Sequence, residues 1–573
     1  MITKNQNLTA YLEEISIQGR TMLLPALHYA QEIHGWLPKE VQEEISHALR
    51  VPLADIHGVI EFYTMFYNQP TAKKVVRICD GPACQLANAQ EVLGSIEAEL
   101  GLRNGETSLD QSITYEHVPC LGMCEFAPVG LNDHQPAGNL NPDITKDFLA
   151  GRHTQPPTKV YGTALATLDR IGRADPEILE EYEKMGGYAG LRNALEDDPE
   201  HLIQLVETSK ILGRGGAQFP TGTKWRYTRA ADRPACEKHI VVNADESEPG
   251  TFKDRVLMEE DPFSVIEAAT LAGYAIGAEN GWIFVRGEYP TSYIRLDNAI
   301  QQAREKGYLG KNILGRDGFN FDIEMRKGAG AYICGEETAL FEAIEGKRGF
   351  PRIKPPFPTT HGLFNQPTAI NNVETLVSVL AAFNMGIDYW LKLGTEGSPG
   401  TKLFCLSGHI QNPGLYELPF GATIRELIEL AGGVPEKRSI QGVLIGGAAG
   451  VFIGSDQLDI RLTYEDTKAH NIPLGSGVVM VFDENADILH TLKNLSRFFA
   501  HESCGKCFPC QLGTQRQMEI LADIISNGRS RKGSKESLID LGFTMTETSL
   551  CGLGQTASTA ILSAIELWPE LVE

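Results

Sequence analysis

The sequence predicts a multidomain α/β chain with helical segments at both ends, and three observations predict it. At 573 residues the chain is too long for one core and reads as about three to five domains. Between residues 176 and 396, apolar strand-like runs such as HIVVNAD and WIFVRGEY alternate with helical patterns such as 265–276, which is the order of an α/β layer architecture. From about Tyr11 to Gln69, and again after Leu489, apolar residues recur at helical spacing instead.

Taken in order, residues 1–73 read as a helical cap, with Leu23, Leu24, Leu27 and Tyr29 on an apolar face ahead of a stop at Trp36-Leu37-Pro38. Residues 74–155 read as a compact α/β unit: a strand KVVRIC over 74–79, a helix over 87–100 and a strand over 113–118. Pro156-Pro157 marks a linker over 156–175. The largest domain follows over 176–396. Residues 397–487 hold short apolar runs (KLFCLSG, GVLIGG, GVVMVF) broken by glycine and proline, with one helix over 424–431, as in a small mixed β domain. Residues 488–573 return to helix.

Bulk chemistry narrows the function. No stretch approaches the roughly 18 apolar residues of a membrane helix, and the start MITKNQNLTAYLEE has neither the apolar core nor the cleavage site of a secretory signal. The expected location is the cytoplasm, with no direct membrane insertion. Fifty-one basic against 74 acidic side chains leave a net charge of −23, which repels nucleic acid and anionic membranes. Eleven cysteines without an export signal point to metal or redox chemistry in place of disulfides.

The cysteines fall into two groups. Cys79 and Cys84 are separated by four residues and Cys120 and Cys124 by three, and each pair follows a predicted strand. Four thiolates on two loops suit a 2Fe-2S cluster, and an all-cysteine zinc site uses similar pairs. In ESCGKCFPC, Cys504, Cys507 and Cys510 are separated by two residues each, and Cys551 follows after 40 intervening residues. That crowded triplet with a distant fourth ligand favours a 4Fe-4S cluster over zinc. Cys236 and Cys405 read as packed apolar residues, whereas Cys334, after a glycine run, fits packing or contact with a cofactor equally.

Three glycine-bearing segments complete the pattern. GRGGAQFPTG (213–222) offers bare backbone at the end of a predicted helix, for a phosphate, a flat ring or simply a tight turn. It matches neither the dinucleotide fingerprint nor the P-loop. NADESEPGTFKDR (243–255) sets Asp245, Glu246, Ser247 and Glu248 at a strand's carboxyl end, where α/β sheets bind ligands. KGAGAYICGEETAL (327–340) pairs flexible backbone with Glu336 and Glu337 ahead of a helix, where solvated acids are also common.

In this order, the motifs closely resemble two subunits of the NADH dehydrogenase module of respiratory complex I, joined in one chain. The resemblance implies a helical cap with a thioredoxin-like 2Fe-2S domain, then a Rossmann-like FMN domain, a ubiquitin-like β-grasp domain and a C-terminal helical bundle holding the 4Fe-4S cluster. It further implies FMN lying against Gly213, Arg214, Gly215 and Gly216, with Lys224, Asn243, Asp245, Tyr332, Gly335, Glu336, Asn371 and Asn372 around its ring and phosphate. The adenine of NADH would stack among Phe219, Tyr227 and Phe357. Glu248 and Glu337 would meet its hydroxyls or amide, which disfavours NADPH, and Lys354 would offset part of their charge. Two positions depart from the family: Gln218 replaces a glycine, and Tyr227 a phenylalanine.

The implied activity is hydride transfer from NADH to FMN, single-electron transfer to the 4Fe-4S cluster and onward delivery to a partner, with the 2Fe-2S cluster as a branch and no side chain needed as acid or base. Joined in one chain, the two units are most similar to the diaphorase subunits of NAD-dependent formate dehydrogenases and NAD-reducing hydrogenases. The expected partners are therefore iron–sulfur and catalytic subunits of such a complex. A fused complex I subunit or an electron-bifurcating complex is the alternative.

Overall fold

A computed structural model describes residues 7–231 and 236–573; the first six residues of the expected cap lie outside the described residues. The chain opens with helices Leu8–Ile15, Leu23–His34, Lys39–Leu49 and Leu53–Ile60. The first sheet follows: β1 (Lys74–Cys79), β2 (Ile113–Val118), β3 (Gly130–Asn132) and β4 (Gln135–Ala137), ordered β2-β1-β3-β4. Strands β1 and β2 run parallel with Cys79 opposite Val118, so the two cysteine loops leave the same end of the sheet.

A short strand, β5 (Val160–Gly162), leads to the central layer: β6 (His239–Ala244), β7 (Asn280–Val285), β8 (Asp322–Lys327) and β9 (Thr368–Asn372). These four strands are all parallel, in the order β8-β7-β6-β9. The chain builds outward from β6 through β7 to β8, then crosses to place β9 on β6's other side. That reversal opens a crevice at the carboxyl ends of β6 and β9, where Asn243 stands opposite Asn372. Helix Pro262–Ile276 is buried along its whole length, and a helix covered on all sides has no need of a polar stripe. Its one acid, Glu267, is saturated: it accepts from the Tyr182 hydroxyl at 2.5 Å and from the N–H groups of Tyr188 and Leu191 at 2.7 and 3.0 Å.

The third sheet comprises β10 (Thr401–Gly408), β11 (Gly414–Pro419), β12 (Ile440–Ile445), β13 (Val451–Ile453) and β14 (Val478–Asp483), in the order β13-β12-β14-β10-β11-β5. The segment 156–175, expected as a linker, is therefore not free. Val160–Gly162 pairs in parallel with Leu415–Glu417. Glu417 then accepts three successive backbone N–H groups, from Ala166, Thr167 and Leu168, at about 3.0 Å each. An edge strand lies three residues beyond Pro156-Pro157 and escapes the sequence pattern, because a three-residue strand shows no periodicity of its own. The helices Ile488–Glu502, Phe508–Asn527, Ser534–Thr548 and Thr559–Leu567 form the final layer.

A buried ionic knot ties the central layer to the third sheet. Lys253 contacts Asp254 at 2.7 Å and Glu374 at 3.2 Å, and Glu374 also meets Lys402 at 3.2 Å. All four side chains are buried. Burial alone would raise the Glu374 carboxyl, but Lys402 and Lys253 overcome it and hold its pKa below the usual glutamate value. Because the folded pKa is depressed, the stabilisation is full above the ordinary glutamate range and fades as the pH falls below it. Glu374→Gln leaves the buried Lys402 ammonium without its carboxylate and Lys253 with Asp254 alone, and should destabilise the chain by about 3–5 kcal/mol at neutral pH. In urea titrations the gap between wild type and variant should shrink below about pH 4.

Candidate functional site

Strands β1 and β2 aim the first four thiols at one another. Cys79 ends β1, Cys84 lies in the short helix Pro82–Leu86, and Cys120 and Cys124 flank the turn after β2. All four are buried. The Gly81 N–H donates to Cys79 Sγ at 3.4 Å and the Gly122 N–H to Cys120 Sγ at 3.3 Å. Neither glycine tolerates a side chain: a Cβ on Gly81 would stand 2.3 Å from the Pro119 oxygen, and one on Gly122 1.9 Å from the Tyr289 hydroxyl. Within each pair one sulfur hydrogen-bonds the other, which drives Cys79 and Cys124 well above the usual thiol value and draws Cys120 down to about 6.

The second set gathers at a junction of helices. Cys504 and Cys507 occupy the turn before helix Phe508–Asn527, Cys510 its first turn, and Cys551 the N-cap of helix Gly552–Thr556. All four line one narrow cavity with Ile333, Pro351 and Leu553. Burial pushes Cys510 up to about 12 and Cys551 up to about 11. Among the described residues no three His, Cys, Asp or Glu side chains close around a point suited to one metal ion. Four sulfurs facing a largely apolar space, without a carboxylate or imidazole, suit an iron–sulfur cluster.

The crevice between them is built from bare backbone. The loop 213–219 is closed by the Gly213 N–H donating to the Phe219 oxygen at 2.9 Å, and by the Thr221 N–H donating to Ile211 at 3.0 Å. Among the described residues, the N–H groups of Gly215, Gly216, Ala217 and Gln218 have no acceptor. Solvent-facing amides on a glycine loop of this kind suit a phosphate or an electron-rich ring edge. Opposite it, Asn243 Nδ2 donates to the Gly335 oxygen at 2.9 Å, and a Cβ on Gly335 would stand 3.4 Å from the Asp245 carbonyl. Asp245 Oδ2 is buried without a partner, and desolvation raises its carboxyl well above the usual range. Free amides, glycine surfaces and an orphaned acceptor at a sheet's carboxyl end fit a flavin mononucleotide.

Other candidates surround this centre with their side chains partly committed. Lys224 Nζ donates to the Ile370 oxygen at 2.8 Å and Trp225 Nε1 to Asn371 Oδ1 at 3.0 Å. Asn372 donates to Asp254 at 2.6 Å and accepts from Lys253 at 3.1 Å. Glu336 caps helix Glu337–Ile344 through the Thr338 and Ala339 N–H groups, and Lys354 bridges it to Glu337 at 2.9 and 2.5 Å. The Tyr332 hydroxyl hydrogen-bonds Glu248, whose other oxygen accepts the Ala449 N–H at 2.8 Å. Ser247 is buried and lowers the Asp245 carboxyl slightly against the dominant effect of burial. At the mouth, Phe219, Tyr227 and Phe357 are 44, 55 and 57% exposed, so these three rings are left uncovered.

Two candidates are used by the fold itself. The Arg214 guanidinium turns to the Tyr464 hydroxyl at 3.0 Å and the Thr401 oxygen at 3.1 Å, stacked on Phe420, and the Arg214 N–H donates to Thr375. Glu246 accepts the N–H groups of Asp254 and Arg255, both at 2.8 Å, at the start of helix Lys253–Glu260. Of the leftover cysteines, Cys405 is buried and accepts the Phe252 N–H at 3.3 Å, Cys334 is buried beside Tyr63, and Cys236 is half-buried.

Sequence reasoning missed the residues that hold the first thiol loop in place. Arg255 Nε donates to the Gly122 oxygen and Arg286 Nη2 to the Cys120 oxygen, both at 2.9 Å, and Arg255 also pairs with Glu125. The available signal was the charged run FKDRVLMEED, whose charges are too many for a helix that the pattern places in the interior.

Comparison with known proteins agrees with this geometry. Residues 8–152 match the family model "Thioredoxin-like 2Fe-2S ferredoxin", residues 206–381 the "Nuo51 FMN-binding domain", residues 403–447 the "SLBB domain" and residues 490–573 the "NADH-ubiquinone oxidoreductase-F iron-sulfur binding region". The alpha chain of the NAD-reducing hydrogenase HoxS of Cupriavidus necator is 34% identical over 99% of this chain and 94% of its own length. This chain belongs to its family. An F-type component of the NADH-quinone oxidoreductase of Rhizobium meliloti is 44% identical over 70% of the chain and 94% of that protein. The solved structure of an NAD+-reducing NiFe hydrogenase in its air-oxidised state contains a chain with a TM-score of 0.84 at 30% identity, covering 97% of this chain and 94% of that one. The chain is accordingly an FMN- and iron–sulfur-dependent NADH dehydrogenase (diaphorase) subunit, with a 2Fe-2S cluster, a 4Fe-4S cluster and NAD(H) as its further cofactors.

Gln218 gains a physical reading here. Its φ is +55°, a left-handed conformation that suits glycine and strains other residues. Gln218→Gly relieves the strain while adding freedom to the unfolded chain, so stability should hold or rise by up to about 1 kcal/mol. Thermal unfolding of the two proteins measures it; a clear drop in the variant would mean that the glutamine side chain carries structural contacts.

Proposed function

We propose that this chain is the cytoplasmic electron-entry subunit of a multi-subunit NAD-linked hydrogenase or formate dehydrogenase, with the two thiol sets as the cluster ligands and the crevice residues as the flavin and nucleotide site. One observation carries the reading: the turn Tyr332–Gly335 borders both thiol sites. Tyr332 lines a cavity with Cys120, and its neighbour Ile333 lines the cavity of Cys504, Cys507, Cys510 and Cys551. A group seated on that turn has a thiol set on either side. The near full-length match with the HoxS alpha chain supports a hydrogenase-type assembly. The higher identity of the Rhizobium meliloti protein over a shorter span favours a fused component of an NADH-quinone oxidoreductase as the second reading. No helix among the described residues is long and apolar enough to cross a membrane.

FMN and the clusters, when bound, supply the conversion between two-electron hydride chemistry and one-electron transfer. The chain's own residues hold and orient. The free N–H groups of 215–218 and the Asp245 carboxyl meet the flavin's polar edge, while Gly335 lets a flat ring approach the backbone. Phe219, Tyr227 and Phe357 offer faces to the adenine. Glu248 and Glu337 stand for the ribose hydroxyls, where their charge disfavours a 2′-phosphate. Lys354 keeps Glu336 and Glu337 close without mutual repulsion.

Anaerobic NADH titration with visible absorbance and low-temperature EPR tests the whole site. Flavin bleaching should be accompanied by reduced-cluster signals, and Cys504→Ser should lose only the 4Fe-4S signal; bound flavin that NADH does not bleach would refute the nucleotide site. Phe357→Ala should raise KM for NADH about tenfold, the loss of one stacking face, with kcat little changed. For the partner, the complex purified through this chain should reduce NAD+ with H2 or with formate. Activity only as an NADH–quinone reductase would favour the second reading.

A further inference from the structure

Outside the catalytic crevice, a cavity of about 430 Å³ lies where the helical cap, the first sheet and the edge of the central sheet meet. That volume lies within the usual range of small-molecule sites, roughly 300–1,000 Å³. Its walls are aromatic and apolar. Tyr11 and Tyr29 stack at 4.2 Å, Tyr293 faces in from helix Pro290–Glu305, and Ile294 stands at the rim, 65% exposed.

Two cations and one acid line it, Lys327, Arg326 and Glu32, with Arg326 ion-paired to Glu324. Among the described residues the Lys327 ammonium makes no hydrogen bond or ion pair, and its burial pulls its pKa below the usual lysine value. Arg326 is 5% exposed; its Nη atoms reach the Met325 oxygen, Met22 and Glu324, but its Nε is buried without an acceptor. His28, bonded to the Gly328 oxygen at 3.1 Å, is held neutral by burial, its pKa drawn down to about 3. His134, also lining the cavity, is shifted down by burial as well, so neither imidazole balances or adds charge at neutral pH.

A half-buried cation and an unsatisfied guanidinium donor, walled by tyrosines, are costly unless an anion completes them. We propose that this cavity is a second ligand site, outside the flavin crevice, for a small planar aromatic monoanion whose rings stack on the tyrosines and whose carboxylate-type group meets Lys327 and Arg326. The site is independent of the catalytic reading. Lys327 is followed directly by Gly328 and the segment leading to Tyr332, so an occupied site braces the base of the flavin-bordering turn.

Isothermal titration of the full cofactor-loaded chain with 2-naphthoate, in saturating NAD+ so that the crevice is filled, tests it. One molecule should bind per chain. Binding should weaken at least tenfold in Lys327→Met, return in Lys327→Arg, and weaken in Ile294→Glu, a rim change that adds a repelling charge without touching the interior. 2-Naphthalenemethanol, with the same rings and no charge, should bind at least tenfold more weakly. Absence of one-to-one binding, equal binding of the neutral alcohol, or naphthoate binding unchanged in both Lys327→Met and Ile294→Glu overturns the proposal. NADH-dependent ferricyanide reduction at the wild-type rate shows that each variant is folded.

Discussion

Two buried arginines make this chain one electron-transfer body. Arg255 and Arg286 reach from the central layer to the carbonyl oxygens of Gly122 and Cys120, on the loop that carries half of the first thiol set. Each is compensated in place, Arg255 by Glu125 and Glu259 and Arg286 by Glu288. Desolvating a guanidinium is expensive, and these pairs return that cost only while loop and layer stay docked. The same elements carry the crevice: Arg286 also donates to the Glu246 oxygen at the end of β6. Fixing the thiol loop and fixing the flavin-side strand are therefore one interaction. Electron transfer between groups depends on their separation, and here that separation is set by buried ion pairs in place of flexible surface contacts.

The crevice divides by depth. Its floor is saturated: Asn372, Lys253, Asp254, Glu374 and Lys402 satisfy one another in the interior, so the carboxyl ends of β6 and β9 do not rearrange to receive a cofactor. Its middle exposes the glycine backbone of 213–218 opposite the partnerless Asp245 oxygen, the surface on which the proposed flavin site rests. Its mouth is open and aromatic. A permanently held cofactor suits the deep, preorganised part, and a substrate that comes and goes suits the exposed rings, which cost little to cover and uncover.

Much of this was legible in the sequence because it depends on spacing and polarity. Strand β1, strand β2 and the carboxyl-end position of Asp245 follow from short apolar runs, and the cysteine spacing carries the expectation of two cluster sites. What was not legible depends on partners distant in sequence. Strand β5 is three residues long and exists only because β11 offers it an edge. Arg214 and Glu246 sit inside the expected motifs, yet Tyr464, Thr401 and the helix at Lys253 claim their side chains. The roles of Arg255 and Arg286 follow from docking of the first domain, which no local pattern encodes.

Strand β5 also changes what the fusion means. With Leu149 ending one helix of the first half and Val160 already locked into the third sheet, only the short stretch between them joins the halves. So brief a tether holds the partner surfaces at an effective concentration on the order of millimolar, whatever the concentration of the protein in the cell. Docking of the two redox units becomes a unimolecular event that dilution cannot reverse. The arginine-clamped interface is thereby freed from having to recruit its partner and needs only to align it.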